Sequence, residues 1–189
     1  MPRSPILAAI DWKAVFDAGL PYAEWLRAGA TPGNGEAMEA LREAQVLEPA
    51  VASFLAALPR PVRVVAIAED WCGDVVKHVP VLARMAQAAP ALQVRFISRD
   101  QFPEVFVRFL TNGGEAIPKF IFLSEQWVEC GNWGPMPAPL RDLIARGKAC
   151  GDVAAARKKV GARYDADPAR LETQRELLAL LEIASCKEP

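Results

Sequence analysis

Apolar positions recur at helical spacing through the first sixty residues, change to a continuous run at residue 62, and return to helical spacing beyond residue 150. Trp12, Phe16 and Leu20 stand four apart, residues 21–27 can form a short helix, and Thr31-Pro32-Gly33-Asn34-Gly35 reads as a loop. Met38, Leu41 and Leu47 lie among charges in a helix over residues 36–47, and an Ala-rich helix follows over 49–58. Pro59 and Pro61 close this region.

Val62-Arg63-Val64-Val65-Ala66-Ile67-Ala68 is short and β-rich, as a buried strand is. A helix is predicted next over residues 73–88, with apolar side chains at 75, 76, 79, 82, 83 and 86. A second strand over 92–98, a second helix over 103–110 and a turn at Asn112-Gly113-Gly114 continue the series. Strands predicted over 119–123 and 127–130 are separated by so few residues that they must pair as an antiparallel hairpin, and a helix over 137–150 completes the order β-α-β-α-β-β-α. In the last forty residues, Asp167-Pro168 reads as a helix start, with an acceptor at the cap and proline in the first turn. Leu171, Leu178 and Leu181 give that helix an apolar stripe, expected to pack on the sheet, with a homodimer contact as the alternative. This divides the chain into an N-terminal helical extension packed on the core (1–60), an α/β domain (61–150) and a C-terminal helical extension (151–189).

Composition narrows the function. With 189 residues and 52% apolar side chains, the chain can bury one substantial core. Its net charge of −1 lacks the basic face that phosphate neutralisation requires, and the short run Arg157-Lys158-Lys159 reads as a solvated helix surface, so nucleic acid is not expected as a partner. Arg3 precedes no uninterrupted apolar stretch, Asp11 and Lys13 break the segment that would serve as a signal core, and no window suits a bilayer. The expected location is cytoplasmic, with no membrane partner. Cys72, Cys130, Cys150 and Cys186 lack the paired close spacing of a zinc site, so no metal and no cofactor are expected.

The chemistry concentrates in Glu69-Asp70-Trp71-Cys72-Gly73-Asp74-Val75, where the first strand hands over to a helix. A sulfur at a helix N-terminus faces unpaired backbone N–H groups and the positive end of the dipole, which favours thiolate. Gly73 lets a partner chain approach, and Trp71 supplies a flat apolar wall. A dithiol reductase would carry its second cysteine at position 75, which is Val75 here. One thiol can form a mixed disulfide but cannot release itself by intramolecular attack. Asp70 and Asp74 oppose a neighbouring anion, with Lys119 and Arg99 available to offset them. Cys130 is expected to point into or across the sheet, and Cys150 and Cys186 follow the closing helix. The sole histidine, His78, is expected at a helix margin next to Leu82 and Met85 rather than as a general base.

With that strand order, Trp71-Cys72-Gly73 at the first junction and Ile117-Pro118 opening the third strand, the chain resembles the thioredoxin superfamily. It looks most like bacterial thioredoxin-like proteins carrying Glu-Asp-Trp-Cys-Gly-Asp-Cys, then Leu-Thr-Asn-Gly-Gly, Ile-Pro and Trp-Gly-Pro. The corresponding residues are Glu69 to Asp74, Leu110 to Gly114, Ile117-Pro118 and Trp133-Gly134-Pro135, over roughly residues 60 to 150. Pro80 stands where thioredoxins kink the active-site helix. The resemblance implies a thioredoxin-like fold, a mixed central sheet flanked by helices. It also implies a cis Ile117-Pro118 bond against Cys72, with the preceding backbone free to pair with a substrate strand.

Three positions depart from the pattern: Val75, Ala66 at the place of the family's buried acid, and Met136 in place of the arginine after Trp-Gly-Pro. The expectation is a monothiol protein with Cys72 as the reactive residue, and Trp71, Gly73, Asp74, Ile117 and Pro118 holding the partner. It would exchange with protein or small-molecule thiols and disulfides, with weak or no dithiol reductase activity. The alternative is a redox-inactive binding module for a peptide or protein. An iron–sulfur carrier of the monothiol glutaredoxin kind ranks below both, because the residues after Cys72 do not match that group.

Overall fold

The computed structural model describes residues 7–187, so Arg3 and the chain ends lie outside the described residues. Four strands form one sheet in the order β2-β1-β3-β4: β1 (Val62–Ile67), β2 (Leu92–Ile97), β3 (Lys119–Leu123) and β4 (Glu129–Trp133). β1 and β2 run parallel, whereas β3 is antiparallel to both β1 and β4. This is the mixed α/β architecture of a thioredoxin-like fold, with added helices at both termini. The centre of the sheet is covered on both faces, which is why β1 reads as an apolar run and every residue of β3 is buried.

The crossover from β1 to β2 is α5 (Gly73–Ala88), which buries Val75, His78, Val79, Leu82 and Met85 along one stripe and carries Pro80 inside the helix. Short α6 (Pro103–Phe106) leads through a 3-10 turn to Asn112 and Gly113, both at positive φ, in a tight turn closed by paired bonds between Thr111 and Gly114. The hairpin differs from its sequence expectation. Trp127, at φ 64°, sits in the turn, and the last strand begins at Glu129 and runs to Trp133. Ser124 explains the shift: its hydroxyl accepts from the N–H groups of Gln126 and Val128, holding the chain in a turn through those residues.

The N-terminal helices α1 (Trp12–Ala18), α2 (Tyr22–Ala28), α3 (Asn34–Ala44) and α4 (Pro49–Ala56) pack into the same core. α1 stops at Ala18, so Leu20 does not extend its stripe. Instead Leu20 exchanges backbone hydrogen bonds of 2.9 and 2.8 Å with Phe96, covering part of the open edge of β2. Trp25 stacks on Phe96 at 4.7 Å. In α3 the buried residue is Met38, and Leu41 faces outward.

Beyond α7 (Ala138–Cys150) come α8 (Val153–Ala166) and α9 (Leu171–Ala184). The stripe of α9 is buried at Thr173, Gln174, Leu177 and Leu181, on α5 and the β3–β4 side of the sheet. Leu171 and Leu178 are only half-buried. Pro168 does not start α9. Arg170 in a left-handed conformation intervenes, yet Asp167 still caps the helix from further back, accepting from Leu171 N at 2.9 Å and Glu172 N at 3.4 Å.

Glu176 of α9 binds two elements at once: Oε2 accepts from Trp133 Nε1 at 2.6 Å and Oε1 from Ala138 N at the start of α7 at 2.8 Å. Between those partners the chain passes Gly134, at φ 119°, where a Cβ atom would stand 2.0 Å from Pro118 O. Only glycine fits that approach. Gly134→Ala is therefore expected to lower stability by about 3 kcal/mol or more, read as a fall in the denaturant midpoint.

Candidate active site

Cys72 is the N-cap residue of α5, in extended backbone, and its side chain makes no cap hydrogen bond. The Glu69–Cys72 turn is closed by Cys72 N on Glu69 O at 3.2 Å, and Val76 N on Cys72 O at 3.0 Å begins the helix. The half-buried Cys72 thiol donates to Ile117 O at 3.4 Å. Ile117-Pro118 is a cis peptide, as is Gly134-Pro135. The fold thus brings Cys72, Ile117 and Pro118 together from positions 45 residues apart.

The other residues singled out in the sequence take different places. Trp71 is 55% exposed, with the Arg99 guanidinium 5.2 Å from its ring centre. Gly73 is exposed, and its carbonyl accepts from Lys77 Nζ at 3.0 Å. Val75 is completely buried, so the position three beyond Cys72 is filled by core packing. Ala66 is equally buried on β1. Asp74 turns inward, toward the Tyr164 hydroxyl, at 3.3 Å from Oδ1. Burial pushes its carboxyl pKa up, against the opposing pull of Lys77 and the Tyr164 hydrogen bond.

Neither cation proposed to offset the carboxylates is paired with one of them. Arg99 binds Glu69 at 3.1 Å and Glu115 at 2.9 Å. Lys119 Nζ is buried, donating to Thr111 Oγ1 at 2.7 Å and Gly134 O at 3.0 Å; desolvation, helped by Arg141, lowers its pKa to about 8. Asp70 is tied to the N-terminal helices instead. Its Oδ2 accepts from Thr31 N at 2.6 Å, its carbonyl from Asn34 Nδ2 at 2.8 Å, and it walls a cleft of about 390 Å³ between α2 and α3.

His78 overturns the margin assignment. It is wholly buried, with Nε2 2.9 Å from the Tyr164 hydroxyl, Nδ1 3.0 Å from Thr173 Oγ1, and its ring edge-on to Trp133 at 5.0 Å. Positions 75, 78, 79 and 82 share one helical face, so the spacing from Val75, rather than from Cys72, carried the signal. Tyr164 and Thr173 had no such signal, because they sit 86 and 95 residues away on helices whose docking is not written in local spacing. Burial, with help from Arg170 and Lys77, drives the His78 pKa from 6.5 to about 3. The Tyr164 hydroxyl is pushed up, first by burial and then by Asp74, with Cys72 adding to the shift.

The remaining thiols lie apart from this constellation. Half-buried Cys130 on β4 donates to Val128 O at 3.3 Å, and burial raises its pKa. Cys150 and Cys186 are exposed near the ends of α7 and α9. Among the described residues, no group of three or more His, Cys, Asp or Glu side chains could hold a metal ion, and no helix is long and apolar enough to cross a membrane.

The sequence model of the thioredoxin family matches residues 21–155, well over half of the chain. The chain belongs to the thioredoxin family. The match begins within the N-terminal helices and ends early in α8, so this thioredoxin-family protein takes Tyr164, Thr173 and Glu176 from outside the matched segment. Among solved structures, it is similar to a protein of unknown function from Pseudomonas aeruginosa, with a TM-score of 0.71 at 20% identity, covering 92% of this chain and 98% of that one. An HIV epitope scaffold shows the same values. At that identity the likeness establishes the fold. No curated protein matches the chain.

The buried neutral histidine has a stability consequence. Below pH 6.5 the unfolded chain binds a proton at His78 that the folded chain refuses until about pH 3. His78 therefore subtracts stability as pH falls through that window, by roughly 1.4 kcal/mol per unit at most, while the raised carboxyl of Asp74 acts in the opposite sense. Denaturant unfolding between pH 7 and 4 is expected to show a steeper loss in the native protein than in His78→Gln.

Proposed function

We propose that this protein is a monothiol member of its family, of the Glu-Asp-Trp-Cys-Gly-Asp-Cys type with Val75 at the second cysteine position. Cys72 forms mixed disulfides with protein or small-molecule disulfides, and an external thiol releases them. The observation that carries this reading is the Cys72 thiol, half-buried and hydrogen-bonded at 3.4 Å to Ile117 O beside Pro118. A partner strand entering there can pair with the Ile117 backbone as its sulfur reaches Cys72, with Trp71 as an apolar wall and Gly73 leaving room. Val75 supplies no second thiol, so release falls to a thiol from solution. Protein and small-molecule thiols and disulfides are thus the partner class, and dithiol reductase activity is weak or absent.

The second reading is a binding module that uses the same groove without exchange, favoured by the exposure of Trp71 beside Arg99. The two separate on covalent chemistry. Treatment with a small aromatic disulfide is expected to give one stable adduct at Cys72 by mass spectrometry, reversed by added thiol and absent in Cys72→Ser. A Cys72 that stays unmodified while Cys150 and Cys186 react would establish the binding module instead.

A further inference from the structure

The segment that meets the Cys72 thiol is strapped from both sides by one buried ammonium. Lys119, the first residue of β3, is 4% exposed, and its Nζ donates to Thr111 Oγ1 at 2.7 Å and to Gly134 O at 3.0 Å. Thr111 opens the tight turn ahead of Ile117, which two backbone bonds of 2.9 Å with Gly114 close, and Gly114 O accepts in turn from Ala116 N at 2.9 Å. Gly134 follows β4 and lies against the Pro118 carbonyl, where a Cβ would stand 2.0 Å away. The ammonium therefore closes the loop from Thr111 to Lys119 across its ends and pins it to the chain leaving β4. Ile117-Pro118 lies inside that closure, and Ile117 O accepts from Cys72 Sγ at 3.4 Å. Each link from the lysine to the thiol is a covalent bond or a direct contact.

A charge is a costly choice for that position. Burial strips the ammonium of its hydration, and the salt bridges among the described residues leave Lys119 out, so no carboxylate offsets the loss. An apolar side chain of similar length would fill the space without that penalty, but it could not donate. What the ammonium supplies is direction: two of its three N–H groups hold two chain segments in fixed relation. The part so held is a backbone edge. Ile117 is 3% exposed, its carbonyl binds the thiol, and among the described residues its N–H meets no acceptor. An unspent backbone donor at so covered a position is destabilising, and an incoming chain would supply the missing acceptor. Through its N–H and the second lone pair of its carbonyl, Ile117 can exchange a pair of N–H···O bonds with an extended antiparallel chain.

We propose that Lys119 is a positioning residue which, by fixing Ile117 N–H and C=O beside Cys72, makes the protein selective for disulfides carried on an extended peptide over small ones. This deepens the monothiol reading above and rests on it. In the reaction, Cys72 gives its proton to water, its thiolate attacks the peptide sulfur, and the electron pair of the broken S–S bond leaves on the other sulfur. Lys119 takes no part in those bonds. It acts through the loop, keeping the peptide's backbone bonds and its sulfur in register with the thiol.

The test uses the full chain and two probes with the same leaving group: a small symmetric aromatic disulfide, and a short peptide whose cysteine is joined to that aromatic thiol. Release of the aromatic thiolate is followed by absorbance, and the rate of Cys72→Ser is subtracted because Cys150 and Cys186 are exposed. In Lys119→Met, the rate constant for the peptide relative to that for the small disulfide is expected to fall by about fivefold, the factor that one hydrogen bond of ordinary net strength provides. Thr111→Val removes one acceptor and keeps the shape. It is expected to lower the same ratio by about twofold, and it decides the matter if Lys119→Met does not fold. Arg141, which also donates to Gly134 O, remains in both variants. General loosening would change both probes alike, so a native ratio in the variants overturns the inference whatever the separate rates do, and leaves the monothiol reading standing. Failure of native Cys72 to react with either probe removes both.

Discussion

The geometry around Cys72 depends on the contact between Gly134 and the backbone of Pro118. A side chain at residue 134 would stand 2.0 Å from Pro118 O, so this approach exists only because the position is glycine. It seats the chain leaving β4 against the chain entering β3, and the buried ammonium of Lys119 joins them by donating to Gly134 O at 3.0 Å. Arg141 donates to the same carbonyl at 3.1 Å and to Met136 O at 3.2 Å. The loop that presents Ile117 O to the thiol is thereby fixed by two cations and a close backbone contact, together with the Ile117 side chain buried in the core.

Trp133 extends that constraint into the added helices. Its ring lies stacked on Phe120 of the sheet at 5.2 Å, meets the edge of His78 from α5 at 5.0 Å, and gives its N–H to Glu176 of α9. Since Glu176 also caps the start of α7, one carboxylate couples the sheet, the loop after it and the C-terminal helix. Glu176 thereby accepts two charge-assisted hydrogen bonds from neutral N–H donors in part-buried positions, where such bonds are strong. The C-terminal helices thus share the core with α5 and bring Tyr164 and Thr173 onto the two ring nitrogens of His78. The N-terminal helices reach the same segment from the other side, through the bonds of Thr31 and Asn34 to Asp70.

Electrostatics around the thiol differ from what the linear arrangement of charges suggests. Asp70 and Asp74 flank Cys72 in sequence, but each is turned toward a separate partner, one a backbone amide and the other a tyrosine hydroxyl. Lys119 and Arg99, close to the site in the fold, spend their charges on a carbonyl and on two glutamates. A charge acts through the partners it finds in three dimensions, and hydrogen bonding and burial then decide how much of it reaches a neighbour.

Local sequence alone determined the order of strands and helices, the place of a lone thiol at the mouth of α5, and the Ile-Pro pair ahead of β3. These follow from periodicity and from proline, glycine and cysteine at fixed short spacings, all of which act between residues a few positions apart. The last strand begins two residues later than the apolar pattern predicts because the Ser124 hydroxyl, accepting from Gln126 and Val128, prolongs the turn, and a side chain's choice of backbone partner is not visible in such a pattern. Tertiary structure alone decided that His78 is buried, that Tyr164 and Thr173 complete its bonds, and that Glu176 holds Trp133. Those partners come from α8 and α9, nearly a hundred residues away for His78, and which faces of packed helices meet is settled by the whole core rather than by either segment.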